Sequence, residues 1–115
     1  MDLSRFNLIE QTSQFSNTIW EEVIRWKIFE KDTVGKQLVR SADSISANLS
    51  EAHGRYSFAD RKRFAYFARG SLCETITWIN LSISRDILEK EKGEILLSNL
   101  QVLSKQINTY INHLK

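Results

Sequence analysis

Gln37, Arg40, Ser44, Asn48, Glu51 and Arg55 recur at spacings of 3, 4, 4, 3 and 4. On an α-helix that period lines up amide, guanidinium, hydroxyl and carboxylate groups along one edge. Leu38, Ala42, Ile45, Leu49 and Ala52 follow beside them at 4, 3, 4 and 3, so an apolar seam adjoins the polar one. A helix that only has to stay soluble scatters mixed charges over its outer face. Arg40, Asn48 and Glu51, with Glu74 from further along the chain, contain the groups of an acid–base site. Nothing in the pattern supplies a nucleophile or a metal to go with them. His53 and His113 fall near the ends of different helices, and Glu51 and His53 lack the three- or four-residue spacing of helical metal ligands. Cys73 has no adjacent histidine and follows the core residue Leu72, which reads as an inert, half-buried thiol. There is no phosphate-binding glycine loop and no nucleophile elbow. The expectation is a protein that is not an enzyme and carries no cofactor.

A second chemistry is concentrated in Arg55–Arg69, RYSFADRKRFAYFAR. The segment carries five positive charges and one negative within a protein of net charge +2, so the rest of the chain is net negative. Arg61, Lys62 and Arg63 fall in the opening turns of a helix, where the dipole favours anions over cations. Three cations there oppose helix stability slightly and suit a docked phosphate backbone. Arg55, Arg61, Lys62, Arg63 and Arg69 are therefore the candidate nucleic-acid-binding residues, for RNA or DNA. Tyr56, Phe58, Phe64, Tyr66 and Phe67 interleave with them. Some of these rings could stack on unpaired bases, while Phe64 and Phe67 read as core or interface residues. The competing reading is an ordinary solvated face.

Four amphipathic segments must position these groups. Leu8, Thr12, Phe15, Ile19, Val23 and Trp26 define a first helix over about 6–28. Asp32 is placed to cap a second over about 33–53, ended by a left-handed Gly54. Ser57, with Asp60 in capping-box position, opens a third over about 58–88. Its core stripe reads Ala65, Ala68, Leu72, Ile76, Ile79 and Ile83. The EKEKG run around Gly93 is the third turn, and Leu96, Leu100, Leu103, Ile107, Tyr110 and Leu114 mark a fourth helix over about 94–113. Residues 1–115 thus predict one all-α domain, an up-down-up-down four-helix bundle with left-handed antiparallel packing.

If the second and third helices turn about Tyr56, Arg40 lies level with Leu72 to Glu74. An Arg40–Glu74 ion pair follows, with Ser44 or Asn48 bonded nearby. Gly70 in mid-helix is about 1 kcal/mol less favourable than Ala, which close approach of Ser41, Ala42 and Ser44 would explain. Gln37, Arg40, Ser44, Asn48, Glu51, Gly70, Ser71 and Glu74 then form a structural polar seam that sets register and orientation. The alternative is a binding or catalytic strip.

The 115 residues contain no proline and a single cysteine, Cys73. No apolar run approaches the ~20 residues that span a bilayer, and the N-terminus lacks a secretion signal's layout. A reducing cytoplasm, with no membrane partner, is the expected setting.

GKQLVRSADSISANLSEAHGR followed by RFAYFARGSLCETITW resembles the small four-helix-bundle proteins encoded by intervening sequences within 23S ribosomal RNA genes. Accessory proteins of diversity-generating retroelements are related to them. The resemblance covers roughly Trp26 to Arg85. Gln37, Arg40, Ser44, Ile45, Asn48, Glu51, Gly54, Arg55, Gly70, Ser71 and Glu74 fall on the family pattern. Ala52 stands in place of a glycine, and Glu30 where many members have proline. The resemblance implies a homo-oligomer in the form of a closed pentameric ring, no enzymatic activity, and in the retroelement members contact with nucleic acid and a reverse transcriptase. A ring would also bury spare apolar positions such as Trp20, Ile24, Trp26, Phe67, Trp78 and Leu81 against neighbouring subunits. The leading expectation is a nucleic-acid-binding oligomer and the alternative a scaffold for a partner protein; a hydrolase using Arg40, Asn48 and Glu51 is the third hypothesis, against the expectation of no enzyme.

Overall fold

The structure, a computed structural model, describes residues 3–114, with side chains from Asn7 onward. Four long helices make an antiparallel bundle: α1 (Leu3–Val23), α2 (Lys36–Gly54), α3 (Phe58–Ser84) and α4 (Lys90–His113). No strand occurs among the described residues. The bundle measures 44 × 23 × 19 Å. The core is built from the predicted stripes of α1, α2 and α4, with Ile19, Leu38, Ile45, Leu49, Leu100 and Ile107 almost completely buried. Ala42, Ala52, Ala65 and Ala68 are buried between them. Their small side chains let α2 and α3 pack over most of their length, the most extensive pairing in the bundle.

The stripe of α3 differs from expectation at two positions. Thr75 and Ser82 face the core, and Ile76 and Ile83 are only half-buried. Each buried hydroxyl has a carbonyl one turn back, Ser71 O at 2.8 Å for Thr75 and Trp78 O at 2.7 Å for Ser82. A hydroxyl satisfied within its own helix can be buried at little cost.

The connections also depart from the sequence reading. α1 stops at Val23, earlier than expected, and Trp26 folds beneath the chain with its Nε1 donating to Glu22 Oε2 at 2.9 Å. Helical structure resumes with one turn, Ile28–Glu30, then a wider π turn, Lys31–Gly35, that leads into α2. Asp32 is therefore inside helical structure and is not a cap. Gly35 is required there, because a Cβ would lie 2.8 Å from Val23 Cγ1 and 3.3 Å from the Trp26 ring. The wide turn buries Val34 and Gly35, the latter beside the Trp26 indole.

Gly54 is not left-handed; α2 ends because Arg55 turns extended, with φ −81° and ψ 148°. Ser57 caps α3 as expected, its Oγ accepting from Asp60 N–H at 3.1 Å. The Asp60 carboxylate turns instead to Arg63. α3 ends at Ser84, where Asp86 takes the left-handed conformation at φ 58° and Ser82 O accepts from the amides of Ile87 and Leu88. The third turn thus precedes EKEKG, and Gly93 sits in the first turn of α4. A Cβ there would collide with Ile83, 2.6 Å from its Cγ1. Gly93, like Gly35, is a close-approach glycine of this fold.

Candidate nucleic-acid interface

The connection between α2 and α3 is three residues long, Arg55–Tyr56–Ser57, and both Arg55 and Ser57 are extended. Arg61, one turn into α3, donates from Nε to Arg55 O at 2.6 Å and braces this corner. Its guanidinium lies 5.6 Å from the centre of the Phe58 ring. Phe64 carries two cations, Arg55 at 4.5 Å and Arg63 at 4.9 Å from the ring centre. Phe64 and Phe67, three residues apart, meet edge to face at 5.5 Å. The rings therefore hold the guanidinium groups. A stacked guanidinium keeps its N–H edge for phosphate, which a flexible ammonium does not present in a fixed plane.

Two of these arginines also touch carboxylates, Arg55 with Glu51 at 3.4 Å and Arg63 with Asp60 at 3.2 Å. All four side chains are well exposed, so neither pair holds its arginine strongly. Arg69 lies elsewhere. Its Nη1 donates to Asn108 Oδ1 on α4 at 3.0 Å, and its guanidinium covers Tyr66 at 4.7 Å. Lys62, Tyr66 and Arg69 follow at helical spacing along the α3 edge nearest α4. The five candidate cations thus form two groups: Arg55, Arg61 and Arg63 around three phenylalanines, and Lys62 with Arg69 beside Tyr66. The split depends on Asn108, which the sequence reading did not single out.

The polar seam lies in the open. Arg40, Glu51, Gly70 and Glu74 are exposed, and Gln37, Ser44, Asn48 and Ser71 half-buried. The expected Arg40–Glu74 ion pair does not form: Glu74 accepts from Trp78 Nε1 at 3.0 Å on its own helix. Asn48 likewise bonds within α2, to Ser44 O at 2.8 Å. A Cβ on Gly70 would meet nothing within 4 Å, so the bundle itself does not require that glycine. Ser41 lies level with Thr75, which sets Arg40 near Ile76, one turn from where a tight turn about Tyr56 would put it.

The interhelical polar links are others. Thr75 Oγ1 lies 2.9 Å from Ser41 Oγ in the core between α2 and α3, and Ser16 Oγ donates to Asp43 Oδ1 at 2.6 Å between α1 and α2. A signal for the first existed: Leu72, Thr75 and Ile79 keep core spacing as well as Leu72, Ile76 and Ile79 do.

The acid–base reading fares poorly. Arg40 and Glu51 are separated by three turns, about 16 Å along α2, too far to act on one atom. A groove of about 360 Å3 between α1 and α4 is lined by Gln11, Gln14, Phe15, Thr18, Asn99, Val102 and Leu103, without a carboxylate, cation or thiol. Cys73 is exposed, not half-buried. Among the described residues no three His, Cys, Asp or Glu side chains gather as a metal site would need, and no helix is long and apolar enough to cross a membrane. Of the spare aromatics, Trp20 is exposed, Trp78 half-buried, and Trp26 buried within the chain.

No curated protein matches the sequence. The fold is similar to that of a protein of unknown function from the S23 ribosomal protein family of Bacteroides thetaiotaomicron VPI-5482. That likeness has a TM-score of 0.85 at 23% identity and covers 95% of this chain and 98% of the other. Residues 5–109 match the family described as 23S rRNA-intervening sequence protein, and the chain, matched over most of its length, belongs to that family.

Proposed function

We propose that this protein is a non-enzymatic, cytoplasmic, homo-oligomeric bundle that binds RNA or DNA through the basic corner. The observation that carries the reading is Phe64 with Arg55 and Arg63 both within 5 Å of its ring centre. Arg61 is braced beside them, in the segment that carries the chain's excess positive charge. Such a corner meets phosphates with pre-positioned donors and little side-chain entropy left to lose. Self-association, as a pentamer by the family resemblance, is supported by surface that the bundle leaves uncovered: Trp20, Phe67 and the unused Gly70. The test is binding of a labelled oligonucleotide by the Arg61→Ala/Lys62→Ala/Arg63→Ala protein. Affinity falls while the oligomer, followed by light scattering, is unchanged.

A second reading is a scaffold that recruits a partner protein such as a reverse transcriptase. Ile28 and Phe29, 75% and 76% exposed at the end of the bundle away from the basic corner, favour it. Large apolar side chains exposed next to one another, unlike single scattered ones, mark contact surfaces. Recovery of the partner after nuclease treatment, and its loss on Ile28→Ser/Phe29→Ser, distinguishes this reading from the first.

A further inference from the structure

The basic corner contains a group that phosphate binding alone does not use. Tyr56 is 100% exposed, on the extended connection between Arg55 and Ser57. It makes no hydrogen bond and no ring or cation contact, whereas Phe58, Phe64 and Tyr66 each lie beneath an arginine. Both faces of its ring are open to water. An exposed tyrosine on a loop is ordinary in isolation; this one belongs to the short connection that Arg61 braces. Arg55 precedes it, and Arg61 is tied to the Arg55 carbonyl at 2.6 Å. The Tyr56 ring is thus a free aromatic face at the corner that holds those two guanidinium groups.

We infer that the corner takes single-stranded nucleic acid, with Tyr56 as the platform on which an unpaired base stacks between phosphates held by Arg55 and Arg61. The inference rests on the nucleic-acid reading above and narrows it to one class of ligand. A duplex offers its phosphates to the same arginines, but its base faces are already stacked on each other and cannot reach the ring. An unpaired strand offers both. Stacking accepts any base, because every base has a π face, so the site selects for strandedness and not for sequence. RNA and DNA single strands share this chemistry.

The experiment is fluorescence anisotropy with the full chain against four labelled probes. These are a mixed-sequence RNA single strand, its DNA counterpart, and a blunt-ended, fully paired duplex of each. The wild-type protein binds the single strands more tightly than the duplexes. Tyr56→Ala weakens single-strand binding by about 5- to 150-fold, the range expected for loss of one stacked base. It leaves duplex binding unchanged, and Tyr56→Phe, which keeps the ring, restores the single-strand affinity. Because the side chain is fully exposed, neither substitution disturbs the core. A difference between the RNA and DNA strands identifies the source of the ligand. Duplexes bound as tightly as single strands, with Tyr56→Ala without effect on either, overturns the inference and leaves the nucleic-acid reading standing. No binding to any probe at low salt overturns both.

Discussion

The guanidinium of Arg55, the residue that ends α2, lies 4.5 Å over the ring of Phe64, in the second turn of α3. The contact joins the two helices that pack most extensively and fixes a cation at their shared end. Arg63 covers the same ring at 4.9 Å. Replacing Phe64 with leucine keeps apolar volume but removes the π face from both. At about 0.5–1 kcal/mol for each exposed cation–π contact, Phe64→Leu is expected to lose about 1–2 kcal/mol in urea unfolding. Phe64→Tyr, which keeps the ring, should lose much less; equal losses would mean that the arginines gain nothing from stacking.

Thr75 and Ser41 meet hydroxyl to hydroxyl at 2.9 Å in the core. Two hydroxyl protons serve three short contacts there, because Ser41 Oγ is also 3.1 Å from Leu38 O and Thr75 Oγ1 2.8 Å from Ser71 O. Either Ser41 donates to Thr75 and Thr75 to Ser71, or Thr75 donates to Ser41 and Ser41 to Leu38. Thr75→Val leaves Ser41 an acceptor for its proton, so the expected loss is only about 1 kcal/mol. A double-mutant cycle with Ser41→Ala should give a coupling of about 0.5–1.5 kcal/mol. Strictly additive losses would show that the two helices are registered by packing alone.

Three glycines should respond differently to alanine. Gly93→Ala drives a methyl into Ile83, an overpacking expected to cost about 1–3 kcal/mol against a propensity gain of about 1 kcal/mol. Ile83→Val in the same chain should recover part of the loss. Gly70→Ala and Gly54→Ala meet open space, and Gly70 in mid-helix should gain about 0.5–1 kcal/mol. Thermal melts of the three variants check the signs. A destabilised Gly70→Ala protein would place that glycine in a contact outside the single bundle.

Much of the fold was legible because most of its information is periodic. In α1, α2 and α4 most large apolar residues occupy one stripe, Trp20, Ile95 and Val102 excepted, and every residue assigned to those stripes is buried. In α3, Thr75 and Ile76 lie next to each other at the core boundary, as do Ser82 and Ile83, and spacing does not say which faces inward. Hydrophobicity favours the isoleucines; helix geometry and the satisfied hydroxyls decide for Thr75 and Ser82. The turn near Trp26 was misplaced because a residue folded under a chain end fits a helical series as well as one on the helix. Arg40 and Glu74 were matched by assuming a tight, symmetric turn about Tyr56, whereas the extended Arg55–Ser57 connection moves the levels by about one turn. For the site, local composition revealed the excess of positive charge. It could not reveal that Arg69 turns away to Asn108, since that partner is 39 residues distant.

The salt dependence of oligonucleotide binding tests the central claim most directly. If the corner binds phosphates, log K for the wild-type chain falls linearly with log salt. Replacing Arg61, Lys62 and Arg63 by alanine lowers the affinity, flattens that slope by up to about three units, and leaves helicity and assembly intact. Binding that ignores both salt and the triple substitution, or no binding at low salt, would contradict the account.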